Sequence, residues 1–174
     1  MLTRTITLTI LIALGGLFPA QAASKCMAEN AVYTIDGEPG FRFKFVKLTE
    51  PSVYSDLALV LENPDSGLIF PFRIFASNGY SMNYLDFDQQ MAGENKLGKE
   101  LGEANIKAFF FMDKANEVNG RNHLKISDIP RSGEKAPDKM FFPELGVTIW
   151  YAEADFDKRI SIATGMWHLS GCGQ

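Results

Sequence analysis

Phe41-Arg42-Phe43-Lys44-Phe45 decides the reading of this chain. Three aromatic rings alternate with two cationic side chains, a period of two that puts one apolar and one charged row on opposite faces of a β-strand. On its N-terminal side, Ala31 to Ile35 reads as a second short strand, and Asp36-Gly37-Glu38-Pro39-Gly40 between them carries turn chemistry. A hairpin is expected. Leu57, Leu59 and Leu61 repeat the alternation with Ala58 and Val60 between them, and Asn63-Pro64-Asp65-Ser66-Gly67 turns the chain into a returning strand from Leu68 to Ala76. Pro71 within that strand donates no ladder hydrogen bond, so an edge or a bulge is expected there. Asn78-Gly79 then predicts another tight hairpin, with Tyr80 to Phe87 as its second arm.

Further along, the pattern weakens and then returns. Leu97, Leu101, Ala104 and Ala108 share a helical face, which predicts a short helix or helical loop between Asp88 and Asn105 despite Gly98 and Gly102. Strands are expected at Ile106 to Met112, buried on both faces because of Phe109-Phe110-Phe111, and at His123 to Ile126, with Asn119-Gly120 near the turn. Ser127 to Pro143, punctuated by Pro130, Gly133, Pro137 and Pro143, reads as a long exposed loop. Val147 to Tyr151 and Arg159 to Leu169 are expected to close the chain as two strands joined by an acidic loop, Glu153 to Asp157. The sum is an all-β antiparallel domain of about eight strands, a sandwich or a barrel, with at most one short helix.

Before these strands comes a segment of a different kind. Arg4, an apolar stretch from Ile6 to Phe18, and Ala20-Gln21-Ala22 occur in the order of a cleavable secretory signal peptide. Gly15, Gly16 and Pro19 break the stretch short of the roughly 20 residues that a membrane span needs. Cleavage is expected before Ala23 or one residue later, giving a domain over residues 23–174. A lipid anchor on Cys26 is not expected, since Lys25 and Ala23 stand where a small and an aliphatic residue are required. The style of this leader and the absence of any N-x-S/T acceptor point to bacterial export, to the periplasm or beyond. Removing the first 22 of 174 residues leaves 152, enough for one core.

Cys26 and Cys172 are the only cysteines, and in an oxidising compartment they are expected to form a disulfide joining the two ends of the domain. The exported chain carries 16 basic against 21 acidic residues, a balance that argues against nucleic acid as partner.

No nucleophile elbow, metalloprotease helix, phosphate loop or dinucleotide fingerprint is present, and no cofactor is expected. His123 and His168 are the only histidines, and each reads as structural or exposed rather than catalytic. Asp86 with Asp88, and Asp155 with Asp157, stand two apart, as paired oxygen ligands in calcium sites do, but Met91 occupies the sixth position from Asp86, where a calcium loop needs glycine. Both pairs read as solvated strand ends. Tyr80, Tyr84, Trp150 and Tyr151 stand out among the aromatics, since amphipathic rings are favoured at interfaces. The sequence therefore predicts a non-enzymatic binding protein, inhibitor-like or carbohydrate-binding, whose partner is an extracytoplasmic protein or glycan. Its candidate surfaces are the hairpin at Asn78 and Tyr80, the basic loop from Arg131 to Lys135, and the rings of Tyr84, Trp150 and Tyr151. The alternative is a small hydrolase whose acidic residues converge only in the fold.

Overall fold

Arg42 to Phe45 of the FRFKF stretch lie in β2 (Arg42–Lys47), with Phe43 and Phe45 buried and Arg42 and Lys44 on the other face. The computed structural model describes residues 26–38, 40–77, 82–92, 105–114, 124–153 and 155–173. The leader, Asn78, Tyr80, the 93–104 part of the expected helix, Asn119-Gly120 and His123 lie outside them.

β1 (Ala31–Ile35), β2, β3 (Leu57–Asn63), β4 (Leu68–Ala76) and β5 (Asn83–Phe87) form an antiparallel meander in which each strand pairs with the next. β6 (Asn105–Lys114) pairs with β5, β8 (Lys139–Phe141) with β6, and β9 (Met166–Cys172) with β8 and with β1. These eight strands close a barrel. β7 (Leu124–Ser127) is an additional strand on β6. Barrel rather than sandwich is therefore the architecture.

The turns follow from local chemistry. Asn63 Oδ1 accepts the amides of Asp65 and Ser66, and Gly67 takes a φ of 70° that other residues rarely adopt. Pro71 sits in an interior strand, contrary to the expected edge, but its carbonyl accepts from the Asp88 amide just past the end of β5. The side of Pro71 that lacks a donor thus faces the point where the β5 ladder stops. Ile106 and Phe109 are both buried although three residues apart, because the register shifts between Asn83 and Tyr84 and puts an extra residue into β6. That shift leaves Phe110 only half buried, so the expected burial on both faces does not hold for this run.

Eight strands enclose a space that side chains can fill. Rings occupy it in an unbroken succession of close pairs: Trp167 with Phe43, Phe43 with Phe142, Phe142 with Phe109, Phe109 with Phe111, Phe111 with Phe45, and Phe45 with Tyr33. On the outer face of β3, Ala58, Val60 and Glu62 are buried as well. Glu62 holds Arg42 and Lys44 at 2.5 Å each, so the stems of these side chains lie across the strand. Burial opposes the charge on Glu62, but the two cations hold its carboxyl below the usual carboxylate range.

Three further expectations are corrected. Val147–Tyr151 is not a strand but lies within α2 (Leu145–Ala152); α1 is the short turn Gln89–Ala92. The β-branched run Val147-Thr148-Ile149 suggested extension, yet burying Leu145 and Ile149, four residues apart, satisfies one helical face, and short apolar runs are ambiguous between the two periods. The last strand begins at Met166 rather than Arg159. The expected loop from Ser127 to Pro143 contains β8, whose Met140 points into the core, and a segment over 130–137 in which Pro130, Ala136 and Pro137 are buried.

α2 emerges from β8 at the barrel end opposite the disulfide. It is seated by Gly146, where an added Cβ would lie 2.2 Å from the carbonyl oxygen of Ile162. Backbone cannot yield there as a flexible side chain would, so Gly146→Ala is expected to destabilise the protein by about 1–3 kcal/mol. Urea unfolding would show this as a lower midpoint at unchanged slope, and an unchanged midpoint would refute the close seating.

Candidate functional site

Three places collect the residues singled out from the sequence. The first is the 130–137 segment, which straps the barrel end that carries the Cys26–Cys172 disulfide. Ala28 and Ala136 exchange backbone hydrogen bonds with Glu134 and Cys26, and the Tyr33 hydroxyl donates to the Pro137 carbonyl at 2.9 Å. The amides of three successive residues are each held by a carboxylate: Arg131 by Glu134, Ser132 by Asp56 and Gly133 by Glu29. The Ser132 hydroxyl also donates to Asp56, and these bonds lower the Asp56 carboxyl. Both cations proposed for this loop are occupied. The Arg131 guanidinium donates to the Val53 carbonyl at 2.7 Å, and the Lys135 ammonium lies 3.2 Å from Asp138 and 3.5 Å from Asp113. These bonds order the strap, and Arg131 and Lys135 remain exposed on it.

The second place is the outer wall of the barrel. Tyr84 stacks on Phe75 with centroids 5.4 Å apart, and Tyr54 meets Phe75 edge-on. Beside this stack, between the loop after β2 and α1, lie two adjoining depressions of about 240 and 520 Å³, the larger one wide open to solvent. Lys47, Thr49 and Met91 line the smaller; Phe75, Asp86 and Phe87 line the larger; Glu50, Arg73 and Gln90 line both. Asp86 and Asp88 do share the larger depression, but they differ in state. Asp88 is buried, accepts Arg73 Nε at 2.6 Å, and caps α1 by accepting the amides of Gln90 and Met91. Asp86 has no such partners among the described residues, and burial raises its carboxyl.

The third place is formed by α2 and the short 3-10 turn Phe156–Lys158. Val147, Tyr151 and Phe156 are 51%, 71% and 68% exposed, and Trp150 lies half-buried among them. The Arg159 guanidinium sits 5.7, 5.7 and 5.3 Å from the ring centroids of Trp150, Tyr151 and Phe156, a spacing at which cation and ring attract. Its Nε donates to the Glu153 carbonyl at 3.0 Å. The acidic loop folds on itself: Glu153 accepts the Asp155 amide, and Asp155 pairs with Lys158 at 2.8 Å, which lowers the Asp155 carboxyl. Asp155 and Asp157 are thus parts of a turn. The outcome is an aromatic shelf pinned by one arginine.

Trp150 and Tyr151 were legible as candidates; Phe156 and Arg159 were missed. The signal was local, since an exposed Phe between two aspartates has no strand or helix face to bury it. His168 lies on β9 between Thr34 and Lys139, beside the buried Trp167. Among the described residues, no three carboxylate, histidine or cysteine side chains gather as metal ligands would. No protein-family model matches the chain, and comparison with curated proteins and with solved structures finds no match.

Proposed function

We propose that this protein is a non-enzymatic, extracytoplasmic binding protein that holds a protein partner against the shelf of Trp150, Tyr151 and Phe156. The observation that carries this reading is the exposure of Tyr151 and Phe156 in a barrel whose interior is otherwise filled with rings. Large aromatics left in water at one end of a rigid scaffold cost solvation unless a partner covers them. Tryptophan, tyrosine and arginine are also the residues in which interface energy concentrates. Fixing the rings from below with Arg159 reduces the ordering that binding would require. A disulfide between the chain ends fits an oxidising compartment.

The test is capture from a periplasmic or secreted extract by the oxidised protein, with partner identification and affinity measurement, alongside a soluble glycan panel. Tyr151→Ala with Phe156→Ala is expected to weaken the captured complex by about 30-fold or more, the size of a 2 kcal/mol hot spot. Undiminished binding by the double variant would remove the shelf from the account. Glycans retained by the wild type and lost in the variant would replace the protein partner with a sugar. The hydrolase alternative keeps one observation in its favour: Asp86 and Glu50 line the same depression, and burial raises the Asp86 carboxyl. Turnover of an ester, glycoside or peptide substrate that Asp86→Asn abolishes would establish it instead.

A further inference from the structure

The shelf has a rim, and the rim is acidic. Glu144 stands one residue before α2, three before Val147 and seven before Tyr151, a spacing that puts all three on one helical face, and all three are exposed. At the other end of the shelf, the exposed Phe156 lies between the exposed Asp155 and Asp157. Carboxylates therefore flank the apolar surface on both sides.

The cations nearby are already engaged. Lys158 pairs with Asp155 at 2.8 Å, and Arg159 is held by the Glu153 carbonyl and by the three rings. Among the described residues, Glu144 and Asp157 enter no ion pair. Glu144, Glu153, Asp155 and Asp157 outnumber Lys158 and Arg159, so the shelf is net negative. Residues 23–174 as a whole carry 16 basic against 21 acidic residues, and the longer-range field draws in the same kind of partner.

We propose that the partner of the shelf is a cationic, apolar protein segment, with its apolar side chains on Val147, Tyr151 and Phe156 and its lysines or arginines against Glu144 and Asp157. This rests on the shelf being the binding surface. Cations also suit the rings themselves, because the aromatic face attracts positive charge. A second copy of this chain fits less well, since two shelves brought together would oppose like charges. From Glu144 to Tyr151 the helix rises about 10 Å, the reach of roughly three extended residues, so a short segment with a cation at each end matches the stripe.

The test is calorimetric titration with acetyl-Lys-Leu-Trp-Leu-Lys-amide and with the versions that carry glutamine or glutamate in place of both lysines, alongside amide NMR shifts. The lysine peptide is expected to bind saturably, with shifts centred on α2 and residues 155–159. It should bind about three- to tenfold more tightly than the glutamine peptide, the effect of two exposed ion pairs, and the glutamate peptide more weakly still. Glu144→Gln with Asp157→Asn should weaken the lysine peptide about three- to tenfold and remove most of the salt dependence of its binding, while leaving the glutamine peptide unchanged. Tyr151→Ala with Phe156→Ala should weaken both peptides at least tenfold. Lysine and glutamine peptides that bind within twofold of each other, both dependent on the rings, would overturn the cationic partner and leave the shelf standing. Binding indifferent to the ring variant would remove the shelf itself. No saturable binding of the lysine peptide, tightest binding of the glutamate peptide, or self-association through the rings in sedimentation would equally overturn the proposal.

Discussion

Replacing Cys26 and Cys172 together by serine is expected to lower the unfolding free energy by roughly 4–5 kcal/mol. The bridge spans 146 residues of sequence, so in its absence the unfolded chain regains almost all of its end-to-end freedom. What the bridge joins is also the seam of the barrel. Cys172 ends β9 and faces Ala31 at the start of β1, and the β1–β9 ladder closes the sheet. Cys26 in turn accepts the Ala136 amide of the strap through its carbonyl, at 2.7 Å. Loss of the bridge should therefore loosen the seam and the strap before the meander. Urea unfolding of the double variant measures the global effect, and amide exchange reads the local one. A loss below about 1 kcal/mol, or exchange that rises first in β2–β4, would show that the ladder holds the seam unaided.

β2 was legible from the alternation of rings and cations, a direct record of a sheet with two unlike sides, whereas β1 and β4 were legible from the turn residues that bound them. β3 was legible from its leucines at every second position, but the burial of its other face was not. In β3 the small residues Ala58 and Val60 are buried under the stems of Arg42, Lys44 and Arg73, a cover that exists only once neighbouring strands are in register. α2 failed for a related reason: an eight-residue apolar run has no polar row to betray its period, and its helical state is decided by the fit of Gly146 against Ile162. Barrel and sandwich could not be separated, because closure depends on the pairing of β9 with β1 and of β6 with β5, which leaves no mark on any single strand.

The candidate sites divide along the same line. Tyr84, Trp150 and Tyr151 were visible because large amphipathic rings are conspicuous, and the structure places each at the surface or half-buried. Arg131 and Lys135 were visible for their charge, but charge in a sequence does not disclose its partner. Val53, Asp113 and Asp138, which engage them, lie 78, 22 and 3 residues away. Arg159 illustrates the converse. Its role depends on three rings that reach it from two elements, so its number in the chain carried no hint.

The two tryptophans offer the sharpest contrast in expected stability. Trp167→Ala is expected to cost about 3–5 kcal/mol, whereas Trp150→Ala should cost less than about 1 kcal/mol. Trp167 is 1% exposed, pairs across the sheet with Ile35 and Met140, and meets Phe43 edge-on at 4.7 Å. Removing it empties one end of the ring succession that fills the barrel, and close packing in such an interior lets neighbours recover only part of the void. Edge-to-face contact adds about 0.5–1.5 kcal/mol beyond burial, so Phe43→Leu in the Trp167→Ala background should cost less than Phe43→Leu alone. Trp150, at the rim with Arg159 and Phe156, loses mainly a solvent-accessible contact. Urea unfolding of the four variants, with the disulfide intact, measures each difference and the coupling. If Trp150→Ala proved as costly as Trp167→Ala, the shelf would belong to the core, and its rings would have a structural rather than a binding reason to be there.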